Sequence, residues 1–339
     1  MRTLVTGGAG YVGGTVASLL RSQGHEPTVF DNLCHSRREM VPAGVEFVEG
    51  DIADRGLIEK VFKSAKSEGR PFEAVLHFAA LIEAGESMVH PETYFRNNTS
   101  STLAMLEAMI AEGPRRIVFS STAAVYGEPE SVPIHEAARL RPTNVYGESK
   151  LMVETMLGWF HAIHGLRSVA LRYFNVAGAP EGSDGITRGE DHEPESHLIP
   201  LILDVALGRR KSIRIYGDDY ATPDGTCIRD YIHVSDLADA HLLALKALET
   251  DEAARSRLIY NLGNGKGFSV REVIESVRRV TGHPIPAELH PRRAGDPAVL
   301  VAGSEKAIRE LGWKPKYAQL DEIIRTAWVW HQKRYATRP

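Results

Sequence analysis

The sequence predicts an α/β fold built on a doubly wound parallel sheet, with a second, smaller mixed α/β domain. Two observations carry this prediction. Short apolar runs alternate with stretches of helical pattern through the first half of the chain, and the glycine-rich segment TGGAG at 6–10 directly follows the first run. Because strands that alternate with helices form parallel βαβ units, this order favours one sheet with helices on both faces.

Each element of the first half follows from its local pattern. The predicted strands cover residues 2–6, 27–31, 45–51, 74–80, 116–127 (which ends in a loop) and 168–178. The predicted helices cover residues 11–23, 54–68, 92–112 and 144–164. The first helix is predicted to end at Gly24, because glycine readily adopts the left-handed conformation that closes helices.

Composition changes abruptly at 179–197, where glycine, proline and acidic residues accumulate. This segment is the predicted domain boundary. We therefore expect a dinucleotide-binding domain over 1–178 and a substrate domain over 179–339, with parts of 230–262 packing back on the first domain.

Composition and charge exclude several classes of protein. The 339 residues are 43% hydrophobic and 25% charged, which is typical of globular proteins. A net charge of −4 argues against a nucleic-acid partner, and no apolar run is long enough to span a bilayer. The N-terminus has no apolar signal core, so we expect a cytoplasmic protein. Two cysteines and the absence of a recognised ligand spacing among 14 histidines predict neither a disulfide framework nor a metal site.

The glycine-rich segment indicates a phosphate-binding turn. Gly7, Gly10 and Gly13 have the spacing GxxGxxG between a predicted strand and a predicted helix. Glycines there permit a tight turn and let backbone N–H groups approach a pyrophosphate at the helix N-terminus. A tight turn without a ligand is the alternative. A Walker-type ATPase is disfavoured because GxxxxGK[ST] is absent, and GNGKG at 263–267 is predicted to be a turn.

The second strand supplies the context that a glycine motif needs. It ends at Asp31, 18 residues after Gly13, where a carboxylate can accept hydrogen bonds from an adenosine ribose. The same charge repels a 2′-phosphate, so NAD is favoured over NADP. Asp51 and Ile52 lie at the end of the third strand, where an adenine is expected. A Rossmann-type NAD site is therefore predicted.

Tyr146 and Lys150, in NVYGESK at 144–150, lie one turn apart on one face of a predicted helix. A nearby ammonium favours phenolate and is expected to lower the tyrosine pKa from about 10 toward neutral. Such a phenol can act as a general base. The alternative is an ordinary tyrosine and lysine on an exposed helix surface.

Several motifs in order resemble those of one superfamily. The glycine turn, HFAA at 77–80, SSTAAVYG at 120–127 and YGESK at 146–150 resemble the extended short-chain dehydrogenases/reductases. More narrowly, four further motifs resemble the UDP-galactose 4-epimerase family, with the second as the most specific. They are RYFNVAG at 172–178, GDDYATPDGTCIRDYIHVSDLADAH at 217–241, YNLGNG at 260–265 and PRRAGD at 291–296.

The resemblance implies roles for particular residues. Tyr146 would remove the proton of the sugar 4-hydroxyl, Lys150 would bind the nicotinamide ribose, and Thr122 would orient the same sugar oxygen. The implied NAD contacts are Gly7, Gly10, Tyr11, Val12, Gly13, Asp31, Asn32, Asp51, Ile52, Phe78, Ala79, Ala80, Asn97, Tyr146, Lys150 and Tyr173. The implied contacts to the UDP-sugar are Thr122, Tyr146, Asn175, Leu198, Tyr216, Arg229, Arg293, Asp296 and Leu300. Arginine suits a diphosphate because its planar fork donates two parallel hydrogen bonds.

The implied activity is interconversion of UDP-galactose and UDP-glucose. Carbon 4 is transiently oxidised by NAD, the 4-ketose turns over beneath the anchored UDP, and hydride returns to the opposite face. NAD would stay bound throughout. The family also implies a homodimer formed through the helices that contain 92–112 and 144–164.

Residue types at particular positions distinguish the implied epimerase from some proteins that share its fold. Sugar-nucleotide 4,6-dehydratases carry an acidic pair after the threonine, where this chain has Ala123 and Ala124. Uronate epimerases and decarboxylases stay open on residue types alone. A catalytically silent NAD-sensing protein is disfavoured, because a sensor needs no proton-transfer group such as Tyr146.

Two positions depart from the best-known members of the family. Ile82 stands where some relatives place a lysine near the cofactor, which is expected to alter how tightly NAD is held. Leu300 stands where relatives restricted to UDP-galactose and UDP-glucose carry a tyrosine. The smaller leucine predicts that N-acetylated UDP-sugars are substrates as well; the alternative is a core leucine that points away from the sugar.

Overall fold

A computed structural model gives the fold of residues 1–182, 185–186, 188–250, 258–293 and 295–335. The strands among them are β1 (Arg2–Thr6), β2 (Glu26–Asp31), β3 (Glu46–Glu49), β4 (Ala74–His77), β5 (Arg116–Thr122), β6 (Arg167–Tyr173), β7 (Asn175–Ala177), β8 (Glu181–Gly182), β9 (Gly185–Ile186), β10 (Ile213–Tyr216), β11 (Ile228–His233), β12 (Leu258–Leu262), β13 (Gly267–Ser269), β14 (Ala287–His290) and β15 (Val299–Leu300). The α-helices are α1 (Tyr11–Ser22), α2 (Arg55–Ser67), α3 (Ala84–Ser87), α4 (Pro91–Tyr94), α5 (Ser101–Glu112), α6 (Val145–His164), α7 (Leu198–Ala206), α8 (Val234–Ala247), α9 (Val270–Thr281), α10 (Glu305–Leu311) and α11 (Leu320–Tyr335).

A parallel sheet dominates the first half. Its order is β3-β2-β1-β4-β5-β6-β12, and each pairing is parallel. The chain runs outward from β1 to β3 and then crosses back to β4, so the strand order reverses beside β1. Ligands of open parallel sheets bind at the carboxyl ends of the strands near such a reversal. The predicted doubly wound Rossmann-type sheet is confirmed.

Two apolar cores lie on opposite faces of this sheet. The core on one face includes Val5 of β1 with residues of α1 and α8, whereas the other includes Leu4 with residues of α2, α5 and α6. Successive residues of a strand point to opposite faces, so Leu4 and Val5 are both fully buried although they enter different cores. All five residues of RTLVT are buried, as expected of a parallel strand that is covered on both faces.

Two elements from the second half of the chain complete the large sheet. Strand β12 pairs with β6, and α8 packs beside α1. Both lie within 230–262. The domain limits at 1–178 and 179–339 remain a prediction, since the chain crosses between the two regions more than once.

The smaller region combines short strands with helices. Strand β11 pairs with β13, β15 and β7, and β10 pairs with β14. Helices α7, α9 and α11 enclose a third apolar core that includes Ile202, Val273 and Ile323. Helix α9 begins at a capping box in which Ser269 and Glu272 satisfy each other's backbone N–H groups.

Two predicted elements differ from the structure in more than their end points. The strand predicted over 168–178 is divided at Phe174, whose N–H donates to the carbonyl of Leu262 at 3.2 Å, and β7 then joins a different sheet. An unbroken apolar run does not reveal where a chain changes sheets. The helix predicted over 92–112 begins at Pro91 and contains a π-helical turn at Phe95–Ser100. Within the described residues, no helix has both the length and the apolar character to cross a membrane.

Candidate active site

The glycine turn lies between β1 and α1. Gly7 has φ +71°, in the left-handed region, and a Cβ there would lie 2.5 Å from the backbone nitrogen of Ala79. A Cβ at Gly13 would collide with the carbonyl oxygen of Gly7. Gly10 begins α1 without a side-chain cap, so backbone N–H groups of the first turn, which includes Tyr11 and Val12, are not taken by a capping side chain. The turn is suited to an anionic ligand.

Asp31 ends β2 beside this turn. Its Oδ2 accepts from the N–H of Ala9 at 3.0 Å, and its Oδ1 accepts from the N–H of Leu33 and the hydroxyl of Ser36, both at 2.9 Å. The carboxylate is 8% exposed and held in one orientation. It therefore stands where the sequence predicts a ribose contact.

The structure places Asp51 and Ile52, predicted near the adenine, just beyond β3, and Asn32, a further predicted NAD contact, just after β2. The amide of Asn32 donates to Asp51 Oδ2 at 2.8 Å, and both side chains are exposed. Asp51 and Ile52 follow β3, which ends at Glu49, so they lie after the strand and not at its end as predicted. The Ile52 side chain is buried in the core with Leu4, because the chain turns inward there.

The segment after β4 lies against the glycine turn. The backbone of Ala79 touches Gly7, Ala80 follows it half-buried, and the ring of Phe78 lies 4.8 Å from the imidazole of His241 between centroids. The amide of Asn97 in the π-helical turn donates to Asn98 Oδ1 at 2.9 Å.

Helix α6 holds the predicted catalytic pair. Asn144 caps its start by accepting from the N–H of Gly147 at 2.8 Å, and Tyr146 and Lys150 follow one turn apart. Thr122 ends β5, and its hydroxyl accepts from the N–H of Ala124 at 3.1 Å. The Thr122 side chain lies close enough to Tyr146 to act on the pKa of its phenol, so the structure brings the three predicted catalytic residues together.

Lys150 is anchored to β5. The side chain is 3% exposed, and Nζ donates to the carbonyl oxygen of Ser120 at 2.9 Å. Nζ lies 6.0 Å from the centroid of the Tyr146 ring. The hydroxyl of Ser120 is hydrogen-bonded to that of Tyr173, the residue directly opposite Thr122 on β6. Lysine, tyrosine and threonine thus surround the ends of two neighbouring strands.

The predicted pKa of Tyr146 is wrong for this structure. Desolvation, followed by the nearby Tyr173, raises the pKa of Tyr146 well above its ordinary value of 10, although the hydrogen bond with Thr122 opposes the shift. Burial also lowers the pKa of Lys150 to about 7. The spacing of the two residues predicts the attraction between the Lys150 ammonium and a phenolate, but not the cost of burying both charges. Desolvation is the larger of the two effects on the pKa of Tyr146.

A buried ion pair supports the catalytic helix. Glu154, one turn after Lys150, accepts from Arg172 Nη2 at 2.6 Å and Nε at 2.9 Å, and both side chains are 2% exposed. Glu154 also accepts from the hydroxyl of Ser121 at 2.6 Å. The pair ties α6 to β5 and β6, the strands that carry Thr122 and Tyr173.

The predicted nucleotide-binding residues form a second cluster. Arg229 on β11 and Arg293 both pair with Asp296, which accepts from Arg293 at 3.0 Å. The guanidinium carbon of Arg293 lies 5.2 Å from the centroid of the Tyr216 ring. Leu300 on β15 stands opposite Arg229 in the strand register.

The remaining predicted contacts surround this cluster. Asn175 on β7 pairs with Tyr231, two residues beyond Arg229, and its side chain is exposed. Leu198 begins α7 and packs partly against the third core. Leu300 packs partly against the apolar cluster around Phe174. Ile82 is 36% exposed.

Three residues that were not predicted also position the site: Asn98, Ser149 and His241. Asn98 accepts from the N–H of Leu81 at 2.8 Å and donates to Ser149 at 3.1 Å, while Ser149 donates to the carbonyl of Tyr146 at 2.7 Å. His241 lies between Phe78 and Tyr173. The adjacent asparagines at 97–98 and the serine inside YGESK were visible signals, since short polar residues often bond to nearby backbone.

A family model supplies the first comparison with known proteins. The NAD dependent epimerase/dehydratase family matches residues 3–263. The chain belongs to this family. The resemblance drawn from the motifs is therefore confirmed.

Individual relatives extend the similarity beyond the matched family region. The UDP-glucose 4-epimerase of Streptomyces lividans is 57% identical over 328 residues, which covers 97% of this chain and 95% of the relative. The structure of the UDP-glucose 4-epimerase from Brucella ovis in complex with NAD has a TM-score of 0.90 at 45% identity and covers 97% of each chain. The enzyme from Bifidobacterium longum, in complex with NAD⁺ and UDP, has a TM-score of 0.90 at 38% identity and covers 99% of each chain.

The residues of this chain fit the cofactor of its family. A dinucleotide needs a turn that lets its backbone approach a pyrophosphate and an acid beyond the second strand. The close approach of Gly7 to Ala79 and the oriented carboxylate of Asp31 meet both needs. NAD is the cofactor of the family, as the sequence predicts.

Proposed function

We propose that this chain is a UDP-glucose 4-epimerase, an isomerase that interconverts UDP-galactose and UDP-glucose with bound NAD. The names of its relatives support this activity. The observation that carries it is the group formed by Tyr146, Thr122 and Lys150 at the ends of β5 and β6. Those strand ends share the edge of the sheet that carries the glycine turn.

Each catalytic residue has a distinct task in this proposal. Tyr146 accepts the proton of the sugar 4-hydroxyl and gives it back after inversion, while Thr122 orients the same oxygen by a hydrogen bond. Lys150 binds the nicotinamide ribose. The glycine turn and Asp31 would hold NAD, which would supply the hydride acceptor for carbon 4 and would be unchanged after each turnover.

The second cluster anchors the part of the substrate that does not react. Arg229 and Arg293 donate to the UDP diphosphate, with Tyr216, Asn175 and Leu198 around the nucleotide. Asp296 supports the cluster by orienting both guanidinium groups. A firmly held diphosphate and loosely held hexose let the 4-ketose turn over without leaving.

We also propose that two copies of the chain pair through α5 and α6. Large apolar side chains on these helices are exposed: Trp159 by 65%, Ile163 by 68%, and Met152 and Leu103 by 38% each. Residues 152, 159 and 163 follow helical spacing and share one face of α6. An exposed apolar stripe of this kind is typical of a homodimer interface.

The pairing is tested by sedimentation of the wild type and of Trp159→Glu/Ile163→Glu. The wild type is expected to sediment as a dimer and the variant as a monomer. Met88→Glu/Val89→Glu is a matched control, because those two apolar residues are exposed by 59% and 69% but lie outside both helices. A monomeric wild type contradicts the pairing.

The activity is tested with UDP-galactose and no added NAD. Formation of UDP-glucose, and recovery of nicotinamide nucleotide from the denatured protein, are the expected results. UDP-glucuronate is assayed in parallel, because uronate-processing relatives share the fold. Turnover of the uronate with none of UDP-galactose overturns the proposal. Turnover of UDP-galactose that requires added NAD contradicts only the tight retention of the cofactor.

A further inference from the structure

Four potential metal ligands converge in the segment that precedes α7. Residues 190–197 read EDHEPESH, and Glu190, His192, Glu195 and His197 each offer one ligand atom to the same small region. These four atoms all lie within 4.8 Å of one another. Two imidazole nitrogens and two carboxylate oxygens are donors that zinc accepts readily.

Four distances among these side chains lie near those of a tetrahedral site. Zinc bonds of about 2.0–2.1 Å place tetrahedral ligands about 3.3–3.5 Å apart. His197 Nδ1 lies 3.0 Å from Glu190 Oε1 and 2.9 Å from Glu195 Oε1. His192 Nδ1 lies 3.6 Å from Glu190 Oε1 and 3.7 Å from Glu195 Oε2. Shifts of a few tenths of an ångström would bring these four distances to that value, with one oxygen of Glu195 facing each histidine, and the ligand atoms all lie within 4.8 Å of one another.

His192 provides an independent reason to expect a ligand. Its Nδ1 is buried and has no hydrogen-bond partner, although two carboxylates face it. The distances of 3.6 and 3.7 Å exceed those of hydrogen bonds but suit atoms that share a metal ion. A buried nitrogen without a partner is costly unless something binds it.

The surrounding residues hold the four ligands in place. The indole N–H of Trp330 on α11 donates to the carbonyl of Glu190 at 3.1 Å. Asp191, between the first two ligands, accepts from Arg334 Nε at 2.8 Å and from the hydroxyl of Tyr335 at 3.0 Å. Helix α11 therefore orders the segment from outside, as supporting residues do around metal sites.

We propose that Glu190, His192, Glu195 and His197 bind one Zn²⁺ ion that has a structural role. Four protein ligands complete a tetrahedral shell and leave no position for substrate. His197 immediately precedes α7 and Ser196 bonds to Glu83, so the ion fixes the chain between the smaller region and the segment after β4. The proposal rests on these four side chains and not on the proposed reaction.

The first test measures zinc in wild-type protein. The protein is stripped with dipicolinate, incubated with ZnCl₂ and dialysed, and we expect about one zinc per chain by mass spectrometry. Co²⁺ in place of zinc should give the intense visible absorption of a tetrahedral nitrogen and oxygen site. Retention of no zinc, or the weak spectrum of octahedral Co²⁺, overturns the proposal without any need for a variant.

The second test compares ligand variants with a matched control. His192→Ala and His197→Ala are expected to bind no zinc. A chelator should therefore lower the Tm of the wild type but leave the Tm of both variants unchanged. His90→Ala is the control, because His90 also faces a glutamate, Glu92 at 4.0 Å, but on the exposed surface and outside the group of potential metal ligands found among the described residues. Equal zinc content in all three variants overturns the assignment. A wild-type Tm that chelation leaves unchanged overturns the structural role.

Discussion

The two halves of the candidate site are held by different forces. Lys150 in the catalytic half is 3% exposed and donates to a backbone carbonyl, whereas the Arg293 side chain in the nucleotide half is 60% exposed and pairs with Asp296. Burial sets the first arrangement, and opposite charges on short strands and loops set the second. The catalytic half is therefore pre-organised by the large core.

Because of this difference, substrate binding and turnover can be changed separately. The backbone carbonyl of Ser120 holds the Lys150 ammonium without neutralising its charge. Asp296 pairs with both Arg229 and Arg293 and offsets one of their two positive charges, so a diphosphate must compete with that carboxylate for the guanidinium groups. Changes in the first half should reduce turnover, whereas changes in the second should weaken substrate binding.

Replacing Tyr146 by phenylalanine should have the largest effect. Phenylalanine keeps the ring but cannot accept the 4-hydroxyl proton, so kcat is expected to fall by roughly 10²–10⁴-fold or more. Bound NAD, measured after denaturation, should be unchanged. A variant with wild-type kcat would disprove the role of Tyr146 as the base.

Replacing Arg293 by glutamine should affect binding more than turnover. The loss of charge-assisted hydrogen bonds, worth about 1.5–3 kcal/mol, is expected to raise KM for UDP-galactose roughly 10–100-fold with little change in kcat. Arg292→Gln is the matched control, since Arg292 pairs with Asp219 at 2.6 Å and is not assigned to UDP. Equal effects of the two substitutions would remove Arg293 from the nucleotide site.

Replacing Asp31 by alanine should change the choice of cofactor. The lost carboxylate no longer accepts from the adenosine ribose or repels a 2′-phosphate, so NAD affinity is expected to fall about 10-fold while NADP affinity falls less. Titration of both nucleotides into stripped protein measures the ratio. An unchanged NAD/NADP preference would contradict the role assigned to Asp31.

Replacing Leu300 by tyrosine tests substrate breadth. The wild type is expected to interconvert UDP-N-acetylglucosamine and UDP-N-acetylgalactosamine as well, and a larger side chain should lower that kcat/KM selectively by about 5-fold or more, for about 1 kcal/mol of overpacking. UDP-galactose serves as the internal control. Equal losses for both substrate pairs, or a wild type inactive on the N-acetyl pair, would show that Leu300 does not limit the pocket.

Replacing Lys150 by methionine should change how stability depends on pH. The pKa of Lys150 falls from 10.5 to about 7 in the folded protein, so the unfolded chain binds more protons between those values and wild-type stability rises with pH there. The Tm advantage of Lys150→Met should be greatest below pH 7 and shrink toward pH 10. A difference in Tm that does not vary with pH would contradict the shifted pKa.

The spacing of residues along the chain was enough to predict the catalytic pair, the glycine turn and the type of sheet. The separation of Tyr146 and Lys150 by one helical turn, and glycines directly after an apolar strand, depend on periodicities that a short segment carries by itself. The alternating order of strands and helices likewise gave the doubly wound sheet. Roles for Arg229, Arg293 and Asp296 came only from the resemblance to a family.

The tertiary structure decided what depends on residues far apart in the chain. The break at Phe174, the π-helical turn at Phe95–Ser100 and the placement of His241 between Phe78 and Tyr173 have no local signal. The raised pKa of Tyr146 likewise depends on residues that are distant in the sequence. The desolvation of a group depends on all the atoms that pack around it and exclude water. A sequence pattern shows the neighbours of a residue along its helix, but not those atoms.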